Sequence, residues 1–109
     1  MNFSDRFSLS LHRRVAEKLR VDPKSVLGVA NENLDKWLSK DSFAFGPERR
    51  ALLEWKAILD RSSPREIESI IIAETDEGQR LRSSSPFAGI LDLREQTVTW
   101  NECAEIGLD

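Results

Sequence analysis

The chain has one cysteine, one histidine, one methionine and no tyrosine. A lone Cys103 excludes an internal disulfide and any cysteine-rich zinc site, and it suits a reducing cytosol. A lone His12, with no second histidine and no further cysteine, leaves no ligand set for a transition metal. The missing tyrosine weighs against an adaptable recognition surface. The longest purely apolar run is Ile70 to Ala73, far short of the ~20 residues that span a bilayer, so no membrane partner is expected. No early stretch combines a basic start, an apolar run and a small-residue cleavage site, and the expected location is the cytoplasm. There is no phosphate-cradling Walker loop and no dinucleotide fingerprint, and no nucleophile-elbow motif surrounds any serine. No cofactor, metal site or catalytic residue is therefore assigned, and a non-enzymatic protein is expected.

What is present is charge and helical periodicity. A chain of 109 residues has the length of one domain, residues 1–109, with enough material for a modest core. Net charge is −3 but unevenly spread. Residues 1–61 carry 12 Lys/Arg and 9 Asp/Glu, net +3, and residues 62–109 carry 4 and 10, net −6. The acidic half repels a phosphate backbone and the basic half attracts one only mildly. A basic protein is the easier partner for the C-terminal half, although two solvated faces explain the same numbers.

Every periodic segment reads as helix, which gives an all-α bundle of about five helices. The first runs from about Ser4 to Arg20, with Phe7, Leu11, Val15 and Leu19 as its stripe and His12 at the edge. Asp22-Pro23 caps and opens the second, whose face holds Val26, Leu27, Ala30, Leu34, Trp37 and Leu38. Asn33 falls within that face and needs a partner, either a neighbouring loop or an interface. Lys40 to Gly46 is a connection whose Phe43 and Phe45 are expected to tuck it onto the core. Pro47-Glu48 opens the third helix, to about Arg61, with Ala51, Leu52, Trp55, Ile58 and Leu59 inward. Ser63-Pro64-Arg65-Glu66 is a capping box, and it turns the strand-like run after it into a helix to Glu74, with Ile67, Ile70 and Ile71 buried. A short helical turn covers Asp76 to Ser83. Asp92 to Glu95 has the same capping spacing and opens a last helix carrying Val98, Trp100, Cys103, Ala104 and Ile106, with Gly107 placed for a C-cap.

Between the last two helices lies Leu81-Arg82-Ser83-Ser84-Ser85-Pro86-Phe87-Ala88-Gly89-Ile90-Leu91. Flanking caps make it an inter-helix joint, with Phe87 as plug, Gly89 as hinge and serines as turn caps. Its basic lip is the part left for function. Arg80, Arg82, Ser83, Ser84, Ser85, Pro86 and Phe87 are the expected partner-binding residues. A helix-turn-helix reading of residues 63–83 is the alternative, with Gln79, Arg80 and Arg82 touching DNA. Asp76 and Glu77 at the start of that reader, and its short length before Pro86, argue against it. Arg6, Arg13, Arg14 and Arg20 form a second basic surface without a motif. Glu74, Asp76 and Glu77 are the densest acidic group. Their spacing is not that of a calcium loop, and a dipole-stabilised helix start explains them. His12 reads as a boundary residue; a catalytic role would require a serine that no motif supplies. The three tryptophans read as core, and Cys103 as a small buried residue.

The segment Asp5 to Ala16, with its Leu11-His12-Arg13 core, the Trp-containing Leu53 to Leu59 and the joint Leu81 to Leu91 together resemble a group of small bacterial helical proteins. Members of that group are similar to companions in toxin–antitoxin or defence gene pairs, some fused to helix-turn-helix domains. The likeness covers most of the chain. It implies an antitoxin-like role, binding and masking or regulating a protein encoded nearby, and no catalytic residues carry over. The group's last helix usually starts Pro-Glu-Glu-Arg, and Asp92-Leu93-Arg94-Glu95 departs from it, so that end of the chain is open to a different use. DNA is the less favoured partner, and self-association stays open.

Overall fold

The computed structural model describes residues 2–39 and 47–108, without the side chains of residues 47 and 106–108. Phe43, Phe45 and Gly46, and the side chain of Ile106, lie outside that description. The described residues form helices α1 (Phe3–Val21), α2 (Pro23–Ser39), α3 (Pro47–Arg61), α4 (Pro64–Ile71), α5 (Asp76–Arg82) and α6 (Leu93–Leu108). The all-helical class holds, but there are six helices rather than about five. Residues 76–82 are a helix in their own right because Thr75 caps them, its hydroxyl accepting from Gly78 N–H at 3.0 Å.

Local chemistry sets the helix starts. The Asn2 side chain accepts from Asp5 N–H at 2.8 Å. The Asp22 carboxylate accepts from Ser25 N–H at 3.2 Å, so a single residue separates α1 from α2. Ser63 and Glu66 exchange both bonds of a capping box, at 3.2 and 2.9 Å, and Asp92 and Glu95 exchange theirs at 2.7 and 3.1 Å. Both carboxyls sit below the ordinary carboxylate range. For Glu66 the main cause is the Ser63 N–H bond, and for Glu95 it is Lys18, followed by the Asp92 N–H.

α4 stops at Ile71, not at Glu74. The Arg82 guanidinium, folded back from α5, donates through Nη1 to Ala73 O at 2.7 Å and Ile71 O at 3.4 Å. The connection after α4 folds so closely over α5 that a Cβ on Gly78 would lie 2.2 Å from Ala73 O.

α1 is the hub, packed against α2, α4, α5 and α6, and α3 lies on α2. The pairs Lys18–Glu95, Arg14–Glu102 and Ser10–Cys103 show that α1 and α6 run antiparallel. The core joins Leu19, Leu34, Trp55, Ile67, Ile71 and Phe87, which confirms Ile67 and Ile71 as inward while Ile70 is half-buried.

The face of α6 differs from expectation. Thr99 and Cys103 are buried, whereas Val98 and Trp100 are 40% and 49% exposed. Thr99 can bury because its hydroxyl bonds back to Glu95 O at 2.7 Å, leaving a shape close to valine. Gly107 lies inside the helix instead of capping it. Of the tryptophans, Trp55 is core, Trp37 half-buried and Trp100 exposed.

Candidate functional site

The segment from Leu81 to Asp92 is gripped from four helices. Its own serines close the end of α5: Ser83 Oγ donates to Arg80 O at 2.6 Å and Ser84 N–H donates to Leu81 O at 3.2 Å. Trp55 on α3 donates its indole N–H to Leu81 O at 2.9 Å. Asn33 on α2 donates to Pro86 O and Ala88 O, each at 2.9 Å, so its partner is the joint itself. Lys18 on α1 reaches Ile90 O at 3.3 Å, and Gln96 on α6 reaches Leu91 O at 2.9 Å. Gly89 holds φ +85°, the left-handed region that favours glycine.

Phe87 is the plug. Its ring meets Trp55 edge-on at 5.7 Å and His12 edge-on at 6.3 Å. His12 is not at a boundary; only 8% of it is exposed. Its Nδ1 lies 2.7 Å from Ser8 O and its Nε2 2.7 Å from Ser85 Oγ. A carbonyl only accepts, so Nδ1 carries the proton and Nε2 accepts from the Ser85 hydroxyl. Ser85 Oγ in turn accepts from Phe87 N–H at 3.2 Å. Burial lowers the imidazole pKa and Arg82 lowers it further, against the Ser8 carbonyl, so His12 is neutral at neutral pH.

The seven residues expected to bind a partner do not form one surface. Arg80 is exposed but engaged by two carboxylates: its Nη atoms reach Glu54 at 2.9 and 2.8 Å, and its Nε reaches Glu77 at 3.0 Å. Glu54, then Glu77, raise its pKa further. Arg82 is 4% exposed, and Pro86 and Phe87 are buried. Ser83 is exposed and Ser84 and Ser85 half-buried. Arg80 and Ser83 border a shallow cavity of about 290 Å³ with Asp5, Asp76 and Gln79. Ser85 and Phe87 open with His12 onto another of about 300 Å³, walled by Leu11, Val15, Leu91 and Gln96.

The basic surface of α1 is tied up in the same way. Arg13 pairs with Glu74 at 3.3 Å, Arg14 with Glu102 at 3.0 Å, and Arg20 Nε with Glu68 at 3.0 Å. Among the described residues no group of three His, Cys, Asp or Glu could hold a metal ion, and no helix is long and apolar enough to cross a membrane. Compared with family models, with curated proteins and with solved structures, the chain matches none.

Two features escaped the sequence reading. One is the His12–Ser85 pair, for which Ser8 one helical turn before His12 was the single local hint. The other is an uncharged stripe on α6. Leu93, Thr97, Trp100 and Ala104 recur at helical spacing, with Gln96 and Asn101 beside them and no charge among the six. Leu93 is 78% exposed. Trp100 packs edge-on against Phe3 at 4.6 Å and Phe7 at 5.1 Å, and Arg6 lies 6.0 Å over the Phe3 ring.

Proposed function

We propose that the chain is a protein-interaction module whose contact face is the uncharged stripe of α6 centred on Trp100. The observation that carries this reading is Trp100 itself: an indole 49% exposed, held in place by Phe3 and Phe7 before any partner arrives. Interface cores lose charged residues and gain aromatics, and tryptophan is among the residue types whose truncation costs most. A ring already fixed by its neighbours gives up little freedom on docking.

The partner offers an apolar surface. The antitoxin-like form of the reading, in which this chain docks on and masks a cytoplasmic protein encoded nearby, rests on the resemblance of Asp5 to Ala16 and Leu81 to Leu91. These arginines do not favour the DNA reading: Arg13, Arg14, Arg20 and Arg80 face carboxylates, and Arg82 is internal.

The test is co-purification with the product of the adjacent gene, followed by titration calorimetry. Trp100→Ala is expected to weaken binding by about 30-fold or more while thermal unfolding stays near wild type. Unchanged affinity in Trp100→Ala, or affinity lost only on replacing Arg80 and Ser83, would overturn the reading. Sedimentation of the chain alone separates self-association, since a dimer that Trp100→Ala dissolves makes a second copy the occupant.

A further inference from the structure

The geometry points to Ser85 as an activated nucleophile, with His12 as its base, in a site that accepts small uncharged esters. This goes beyond docking and lies in the cavity behind the joint. The two side chains stand 73 positions apart in sequence, and folding sets Oγ 2.7 Å from Nε2. Three parts of a serine–histidine site are in place. The nucleophile donates to the base, and the base is oriented by an acceptor on its far nitrogen, Ser8 O at 2.7 Å. An apolar cavity of about 300 Å³ opens on both, walled by Leu11, Val15, Phe87 and Leu91. Gln96 lines the same cavity, and Leu91 O takes one of its two amide N–H bonds; the other is the donor assigned to the developing oxyanion.

The chemistry balances without a cofactor. Ser85 Oγ bonds to the ester carbonyl carbon as its proton passes to His12 Nε2. The carbon–oxygen bond to the alcohol then breaks, and the departing oxygen takes that proton. Water, deprotonated by the same nitrogen, cleaves the Ser85 ester, releases the acid and restores the hydroxyl. The apolar walls select a short, uncharged acyl chain. Because burial makes His12 a weaker base than free imidazole, reactivity is best read by covalent capture.

The probe is a small dialkyl phosphorofluoridate, in which an Oγ–P bond replaces the P–F bond and fluoride leaves. Intact-mass and peptide mapping of the folded chain are expected to show one adduct, on Ser85, absent in Ser85→Ala. His12→Gln is expected to slow labelling by roughly 100-fold or more, and Gln96→Ala by a smaller factor. Where His12→Gln fails to fold, Ala88→Trp gives the second arm. Ala88 is exposed at the cavity, and an indole there is expected to block labelling of a folded protein. No adduct, an adduct on another serine, the same rate in urea-unfolded chain, or a rate indifferent to His12→Gln and Ala88→Trp would overturn the assignment.

Discussion

Asn33 on α2 and Pro86 in the joint are bound through the asparagine amide, which donates to Pro86 O and to Ala88 O, each at 2.9 Å. A single side chain thus satisfies two carbonyls of a segment that has no helix to satisfy them. Asn33→Leu keeps the size and removes both donors. It is expected to lower unfolding free energy by about 1–3 kcal/mol, measured by urea titration. An unchanged midpoint would mean that solvent serves those carbonyls equally well.

Arg80 and Arg82 look like one basic lip in the sequence and behave differently in the fold. Arg80 lies outside with Glu54 and Glu77, and exposed pairs contribute little, so Arg80→Ala is expected to leave stability close to wild type. Arg82 is 4% exposed and holds the end of α4. Arg82→Ala removes charged hydrogen bonds and buried stem packing, at a cost of about 2–4 kcal/mol. Equal effects of the two substitutions in thermal unfolding would contradict the placement.

Two glycines give opposite expectations. A Cβ at Gly78 would lie 2.2 Å from Ala73 O, whereas one at Gly28 would meet nothing within 4 Å. Gly78→Ala drives the new methyl into the Ala73 carbonyl of the α4–α5 connection and is expected to cost about 2 kcal/mol or more. Gly28→Ala, on an exposed helix face, is expected to stabilise by about 0.5–1 kcal/mol. Chemical denaturation of both variants checks the pair.

How much of this was legible in the sequence depends on the range of the forces involved. The starts at Asp22, Ser63 and Asp92 were readable because a cap is made by residues three apart. The core residues Leu19, Leu34, Trp55, Ile67 and Ile71 were readable because helical spacing selects them. The end of α4 was not, since an arginine from the next helix decides it. The buried face of α6 differs from expectation because apolar counting passes over Thr99, whose hydroxyl is satisfied locally, and keeps Trp100, which stays 49% exposed beside Phe3 and Phe7. The pairing of His12 with Ser85 belongs wholly to tertiary packing.

Stability is expected to fall with acidification in two stages. The folded His12 pKa lies below its ordinary 6.5, chiefly through burial, with Arg82 on α5 the charged group acting on it. In the unfolded chain the imidazole takes a proton as pH falls through 6.5, and the folded chain refuses it until lower pH. The His12 contribution is therefore complete above about 6.5 and is lost from there toward the folded value. Glu54, Glu66, Glu68, Glu77 and Glu95 are held below the ordinary 4.5, so their contributions persist to more acid pH. Unfolding free energy should begin to drop as pH falls below about 6.5 in wild type and stay nearly level in His12→Gln until the carboxylates titrate. Identical slopes would exclude His12 as the cause.

The bond between His12 Nε2 and the Ser85 hydroxyl underlies both the lock on the joint and the nucleophile assigned to it. Long-range ¹H–¹⁵N correlation of the imidazole at neutral pH tests it most directly. The expected spectrum is a neutral ring protonated at Nδ1, with an unprotonated Nε2 whose shift changes on Ser85→Ala. A ring protonated at Nε2, or a charged imidazolium at neutral pH, would contradict the account.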